Sequence, residues 1–294
     1  MKTTIKSLIG LCFIAGLFSC SPAAYFAFWQ SEKVVADGVA KEWSNPLNYF
    51  DSDTKLQYTF SNDRKNLYVC LKTADERTQV KIIKGGLKLW IDTTGRNRSQ
   101  VGIFFPTPSP EPFEKVEKKE GGKTETTIPL TALKTSFLAA PKEMSLAGFK
   151  APYKGLTAIG PNMPIRVAVN WDSLKNLVYE AVIPFSTFYK DSLFGLDSTK
   201  VFGISVVVNG LKSPSGNSGS NNSGGNASLP GNGAGSGASP GMPGMGSAMG
   251  RNGGGQKRPG GNIGPLNPLY ESGTLRAQIR LAIRAKKKYA MTGW

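Results

Sequence analysis

From Thr274 to Ala285 the side chains alternate without a break. Leu275, Ala277, Ile279, Leu281 and Ile283 fall on one side, and Arg276, Gln278, Arg280, Ala282 and Arg284 on the other. A repeat of two cannot give a helix one apolar face, because the helical period is 3.6 residues. The segment therefore reads as a half-buried strand with a basic solvent face. The segment 200–209, KVFGISVVVN, is a second strand, β-branched enough to lie in a core. Between the two lies Lys212–Pro268, dominated by Gly, Ser, Asn and Pro. It lacks the apolar side chains that would offset the entropy of ordering, so a disordered loop over 212–268 is expected. Loop-closure cost grows only with the logarithm of length, so the flanking strands can still be neighbours.

The same short-strand signature runs upstream. Leu56–Ser61 and Leu67–Lys72 flank an Asn/Asp-rich turn, as do Ile165–Trp171 and Leu177–Ile183. Leu87–Asp92 and Val101–Phe105 pair across a polar, glycine-bearing loop, and Thr124–Ile128 follows a charged hairpin tip. Val34–Val39 reads as a first strand, followed by Trp43 closing the sheet end, and Pro129–Leu133 as a helical turn with Pro at its first position. Short strands at regular spacing make the expected fold class all-β: an antiparallel β-sandwich, jelly-roll or immunoglobulin-like, formed by 33–211 and 269–289.

Residues 1–20 carry a basic start at Lys2 and Lys6, an apolar run from Leu8 to Phe18, and a small residue before Cys20. That is an export signal, too short to span a bilayer. Leu17-Phe18-Ser19-Cys20 also resembles the lipobox of bacterial lipoproteins. The resemblance implies cleavage before Cys20, a lipid on its thiol, and residues 21–32 as a tether. Ser21 in place of an acidic residue implies sorting to the outer membrane, facing the periplasm. The partner expected first is thus the membrane, through the lipid anchor.

Composition narrows the chemistry. Histidine is absent, which removes the usual neutral-pH base and the commonest transition-metal ligand. A net charge of +16, from 36 Lys and Arg against 20 Asp and Glu, suits anionic surfaces. An exported chain does not meet nucleic acid, so none is expected. Cys70 stands alone in an apolar strand and reads as a small buried hydrophobe. No cofactor is expected. Calcium would suit the carboxylates of Asp51, Asp53 and Asp92, but no EF-hand-like spacing supports it.

Several short pieces together resemble the carbohydrate-binding module family 9-like and related DOMON-like β-sandwiches. They are Val35-Ala36-Asp37-Gly38 with Glu42-Trp43, Asn62-Asp63 with Asn66-Leu67-Tyr68-Val69, Gly86–Asp92 with Gly95, and Tyr179-Glu180-Ala181-Val182-Ile183-Pro184. The resemblance implies a sandwich over residues 34–285, apart from the glycine-rich insert. It also implies a sugar held between aromatic faces and polar side chains. The candidate ligand residues are Trp43, Trp90 and Trp171, with Asp92, Asn170 and Asp172. The leading expectation is a lipid-anchored, non-catalytic module for carbohydrate or another envelope component. The alternative is a structural or assembly lipoprotein without a sugar site, in contact with an envelope protein. Least expected is a carboxylate-based hydrolase, for which Glu42, Glu180 and Asp92 are the acids in strand-like contexts.

Overall fold

The computed structural model describes residues 24–96, 98–110, 116–120, 123–127, 129–140, 142–212 and 268–284. Its strands, in chain order, are β1 (Tyr25–Phe26), β2 (Phe28–Trp29), β3 (Tyr49–Asp51), β4 (Leu56–Asn62) and β5 (Asn66–Thr73). Then come β6 (Leu87–Asp92), β7 (Val101–Phe104), β8 (Val116–Glu120), β9 (Lys123–Thr127) and β10 (Glu143–Ala147). The series closes with β11 (Gly155–Ala158), β12 (Arg166–Trp171), β13 (Leu177–Pro184), β14 (Val201–Val208) and β15 (Gly273–Arg280).

One sheet has the order β1-β15-β14-β6-β7-β10-β11, and the other β12-β13-β5-β4-β2, with β3 also on β4; β8 and β9 pair apart. The fold is an all-β sandwich. Leu89, Ile91, Ile103, Ile204, Val206 and Ile279 from the first sheet meet Phe60, Val69, Leu71, Val167, Tyr179 and Ala181 from the second. Every one of them lies at an alternate position of its strand, which is why the period of two was the informative signal. The pairs β4–β5, β6–β7 and β12–β13 are antiparallel hairpins, as the sequence predicts. β14 and β15 pair over all eight residues, so the strands flanking the glycine-rich segment are indeed neighbours. Of the loop expected to be disordered over 212–268, residues 213–267 lie outside the described residues, as do the export signal and Cys20.

Three features differ from expectation. First, the stretch expected as a tether is paired from Tyr25 to Trp29. β1 runs parallel to β15 and β2 parallel to β4, so the chain crosses from one sheet edge to the other with Ala27 buried between. These are the parallel pairs in an otherwise antiparallel fold. Second, Val34–Val39 is a loop, not a strand. It lies on the outer face of the second sheet, where Val34, Trp43 and Leu47 pack on Tyr68, Cys70, Val178 and Val182. Third, the interval between Thr73 and Leu87 is helical. α1 (Glu76–Val80) is capped by the Asp75 carboxylate, which accepts from the Thr78 N–H at 2.7 Å, and continues as a wider turn over Lys81–Gly85. The turn expected after Pro129 extends into α2 (Leu130–Ala139), a helix with no buried residue.

Candidate functional site

The outer face of the second sheet is built in rows across β12, β13 and β5. Arg166, Val182 and Tyr68 form one row. Ala168, Glu180 and Cys70 form the next, and Asn170, Val178 and Lys72 the third. The middle row holds the organising contact. Glu180 is fully buried and receives three hydrogen bonds: from Gly38 N–H at 2.7 Å, Asp37 N–H at 3.1 Å and the Trp43 indole Nε1–H at 2.7 Å. Asp37-Gly38 and Trp43, neighbours in one loop, therefore meet on the carboxylate of Glu180, which is distant in sequence. Gly38 has φ +76°, and a Cβ there would lie 2.5 Å from the Asn170 Cβ, so the loop presses directly onto β12. Burial raises the Glu180 carboxyl above its ordinary value, with its three donors pulling the other way. Burial likewise raises the Cys70 thiol, with Glu180 next in effect, and keeps it protonated and inert.

Past this pin the loop forms one wall of a cavity of about 290 Å³ in the third row. Val39, Trp43, Ser44 and Asn45 line one side; Lys72, Asp172 and Leu174 line the other. Lys72 Nζ and Asp172 Oδ2 are 2.8 Å apart, with side chains 13% and 14% exposed. Asp172 Oδ1 also accepts from Leu174 and Asn176 N–H, which fixes the β12–β13 turn. Burial alone would raise the Asp172 carboxyl, but bonds from Asn176 and Lys72 outweigh it and hold it below the ordinary carboxylate range. Trp43 is only 8% exposed, so it offers the cavity an edge, not an open face. The apolar rim comes from Val39 and Leu174, 48% and 74% exposed.

The structure thus brings Trp43 and Asp172 together, keeps Asn170 in the same row beneath the Gly38 loop, and sends Trp90, Trp171 and Asp92 elsewhere. Trp90 faces outward from the first sheet, over Gly102 of β7, where an added Cβ would meet the indole at 2.6 Å. It fills the space a side chain would have taken, and Phe104 packs edge-on at 5.1 Å. Trp171 belongs to the inner face. Its Nε1–H donates to Gln79 Oε1 at 2.8 Å, its ring meets Phe137 of α2 edge-on, and Lys134 sits 5.0 Å above it. The three tryptophans share no platform.

Asp92 is a loop organiser. Its carboxylate accepts from Thr94 N–H and hydroxyl and from Arg96 and Arg98 N–H, all within 2.9 Å. Burial opposes ionisation here as well, yet these four bonds prevail and lower its pKa. Asp51 is similarly engaged with Thr54 on the other sheet, and among the described residues no group of three metal-ligating side chains forms. Sequence reasoning missed Lys72 and Leu174. Lys72 was legible as the outward position of β5, but its partner in the β12–β13 turn was not.

Comparison of the chain with known protein families, with characterised proteins and with solved structures finds no match.

Proposed function

We propose that this chain is a lipid-anchored, non-catalytic module of the cell envelope, at the outer membrane facing the periplasm, that binds a glycan residue in the cavity beside Trp43. One observation carries the reading: Trp43, Ser44 and Asn45 from one loop face the Lys72–Asp172 pair across a space of about 290 Å³. That space is close to the roughly 300 Å³ lower bound of small-ligand sites. Sugar hydroxyls need paired donors and acceptors, which a Lys–Asp pair with Ser and Asn amide neighbours supplies. The C–H face needs an apolar rest, which Val39 and Leu174 offer. The Glu180 pin fixes the loop wall before any ligand arrives, which lowers the ordering cost of binding. The resemblance to carbohydrate-binding sandwiches agrees with this assignment.

The non-catalytic part rests on the acids. Asp92, Asp172, Asp197 and Glu180 each hold a different turn or loop through their own hydrogen bonds, whereas Glu42 keeps one buried oxygen, Oε2, without a partner.

The test is a glycan array probed with the full chain. Ser44 and Leu174 are exposed, so Ser44→Arg and Leu174→Glu block the cavity without a folding cost. We expect both to lose the binding of the parent chain while melting at the same temperature. Binding that survives both changes would overturn the site. No bound glycan at all would favour an assembly role, for which Phe194 and Leu196, 66% and 83% exposed, form the apolar contact.

A further inference from the structure

The first row of the same outer face ends in a second cavity, of about 570 Å³. Five cations line it: Lys33, Arg64, Lys65, Arg166 and Arg284. Two acids share the lining. Asp63 is already engaged by Lys65 N–H, Asn66 N–H and the Tyr68 hydroxyl, and Glu32 is exposed. None of the five cations forms an ion pair among the described residues. The Arg166 Nε is moreover buried without a hydrogen-bond partner. A buried guanidinium nitrogen left unbonded beside four further positive charges is costly unless an anion completes it.

Trp29 of β2 also lines this basin, and the residue before it opens an aromatic edge. Phe28 pairs with Ser61 and Phe50 with Gln57, four residues apart on β4 and so about 13 Å along the same sheet edge. Phe28 and Phe50 are 44% and 60% exposed; Phe26, 69% exposed, adjoins them beside Arg280 on the edge of the first sheet, and Tyr25 packs at a tilt on Tyr49 with ring centroids 4.6 Å apart. Exposed aromatic rings next to a basic cluster are the composition of a membrane–water interface: rings among the headgroups, cations on the phosphates. Among the described residues the pairing begins at Tyr25, only five positions in sequence after Cys20, the proposed lipid site.

We propose that the basin bounded by Lys33, Arg64, Lys65, Arg166 and Arg284, with the Phe26–Phe28–Phe50 edge, docks on anionic phospholipid and seats a headgroup phosphate at Arg166. The inference rests on the membrane half of the proposed function and not on the glycan half. It adds to the lipid a second contact that orients the chain on the membrane.

The test measures co-sedimentation of the full lipidated chain with two kinds of vesicle at about 0.15 M ionic strength. One is phosphatidylcholine alone, and the other is the same lipid mixed with phosphatidylglycerol. The anchor reads out on both, whereas the basin reads out only on the difference. We expect binding about tenfold tighter to the anionic vesicles. The exposed-site variant Lys33→Glu/Lys65→Glu/Arg284→Glu should lose that difference and keep its binding to the neutral ones. Lys154→Glu/Lys175→Glu/Lys200→Glu removes the same charge from other exposed positions and should keep the difference. Equal binding of the parent chain to both vesicles would overturn the proposal, as would equal loss in the two variants. Inorganic phosphate should compete for the anionic increment. Phosphate binding at Arg166 without vesicle discrimination would mean a soluble-anion site and would also overturn it. Failure of the glycan array leaves these outcomes untouched.

Discussion

Trp43→Phe probes the contact on which the outer layer of the second sheet depends. The indole Nε1–H donates to the Glu180 carboxylate at 2.7 Å, and the ring is 8% exposed among Val34, Leu47, Tyr68 and Val178. Losing a hydrogen bond to a charged acceptor costs about 1.5–3 kcal/mol. Shrinking the ring in a packed cluster adds about 1–2 kcal/mol. The sum, about 2.5–5 kcal/mol, is a large share of the ~5–15 kcal/mol that holds a domain together. At roughly 2–4 °C per kcal/mol for a domain of this size, melting should fall by about 10 °C, measured by circular dichroism.

The loss also has a pH signature. Burial holds Glu180 above its ordinary carboxylate value in the folded chain. As pH rises through the window between those two values, the unfolded chain releases its proton first. The folded chain then binds more protons, so stability falls across that window. The Trp43 bond favours the ionised form, so its removal raises the folded value further and prolongs the fall. The gap between parent and variant should therefore stay constant in acid and widen only once pH passes the parent's raised Glu180 value. A gap under about 1 kcal/mol at neutral pH, or one that stays flat from acid to neutral, would refute the pin.

Asp92→Ala removes four hydrogen bonds from the loop after β6 and should cost about 2–4 kcal/mol in urea titrations. The folded Asp92 pKa is lowered, so its contribution is present above the ordinary carboxylate value and fades as pH falls below it; the parent–variant gap should close in acid. Cys20→Ser should abolish incorporation of labelled fatty acid into the chain, and retained label would place the anchor elsewhere.

What the sequence disclosed follows from range. The hairpins β4–β5, β6–β7 and β12–β13 join neighbours in the chain, and their alternation and turn residues are local signals. Val34–Val39 was misread because its backbone donors go to Glu180, 142 residues beyond Gly38, and no local pattern records such a contact. β1 and β2 are two residues each, too short for any period, and their parallel pairing is set by β15 and β4. Asn62 works in the same way. Fully buried, it accepts from Ala282 N–H and donates to the Ala282 carbonyl, bridging the sheets where its Asn-Asp context signals only a turn. For α1 the signal was present, since Asp75 and Glu76 are an N-cap and an acidic first turn, but two flanking strands drew the reading away. The site divided similarly. Trp43 and Asp172 were named from their types, while the fates of Trp90 and Trp171 depended on which face of which sheet each strand presents.

The geometry of β5 links the two proposed sites. Tyr68 lines the basic basin, Cys70 lies beneath the Glu180 pin, and Lys72 lines the cavity beside Trp43. These are alternate residues of one strand, so Tyr68 and Lys72 stand about 13 Å apart. The loop that begins at Lys33 on the basin reaches Val39 at the cavity within a few residues. A headgroup seated at Arg166 would therefore hold the sugar cavity within about two nanometres of the lipid phosphates, a distance set by the same strand spacing. A glycan reached at that height is one that lies on or is joined to the membrane. A chain docked this way should bind a membrane-linked sugar better than the same sugar free in solution, because the anchor raises its effective concentration at the surface. Equal affinity for the two forms, with docking intact, would mean that the cavity faces away from the bilayer and that the two sites act separately.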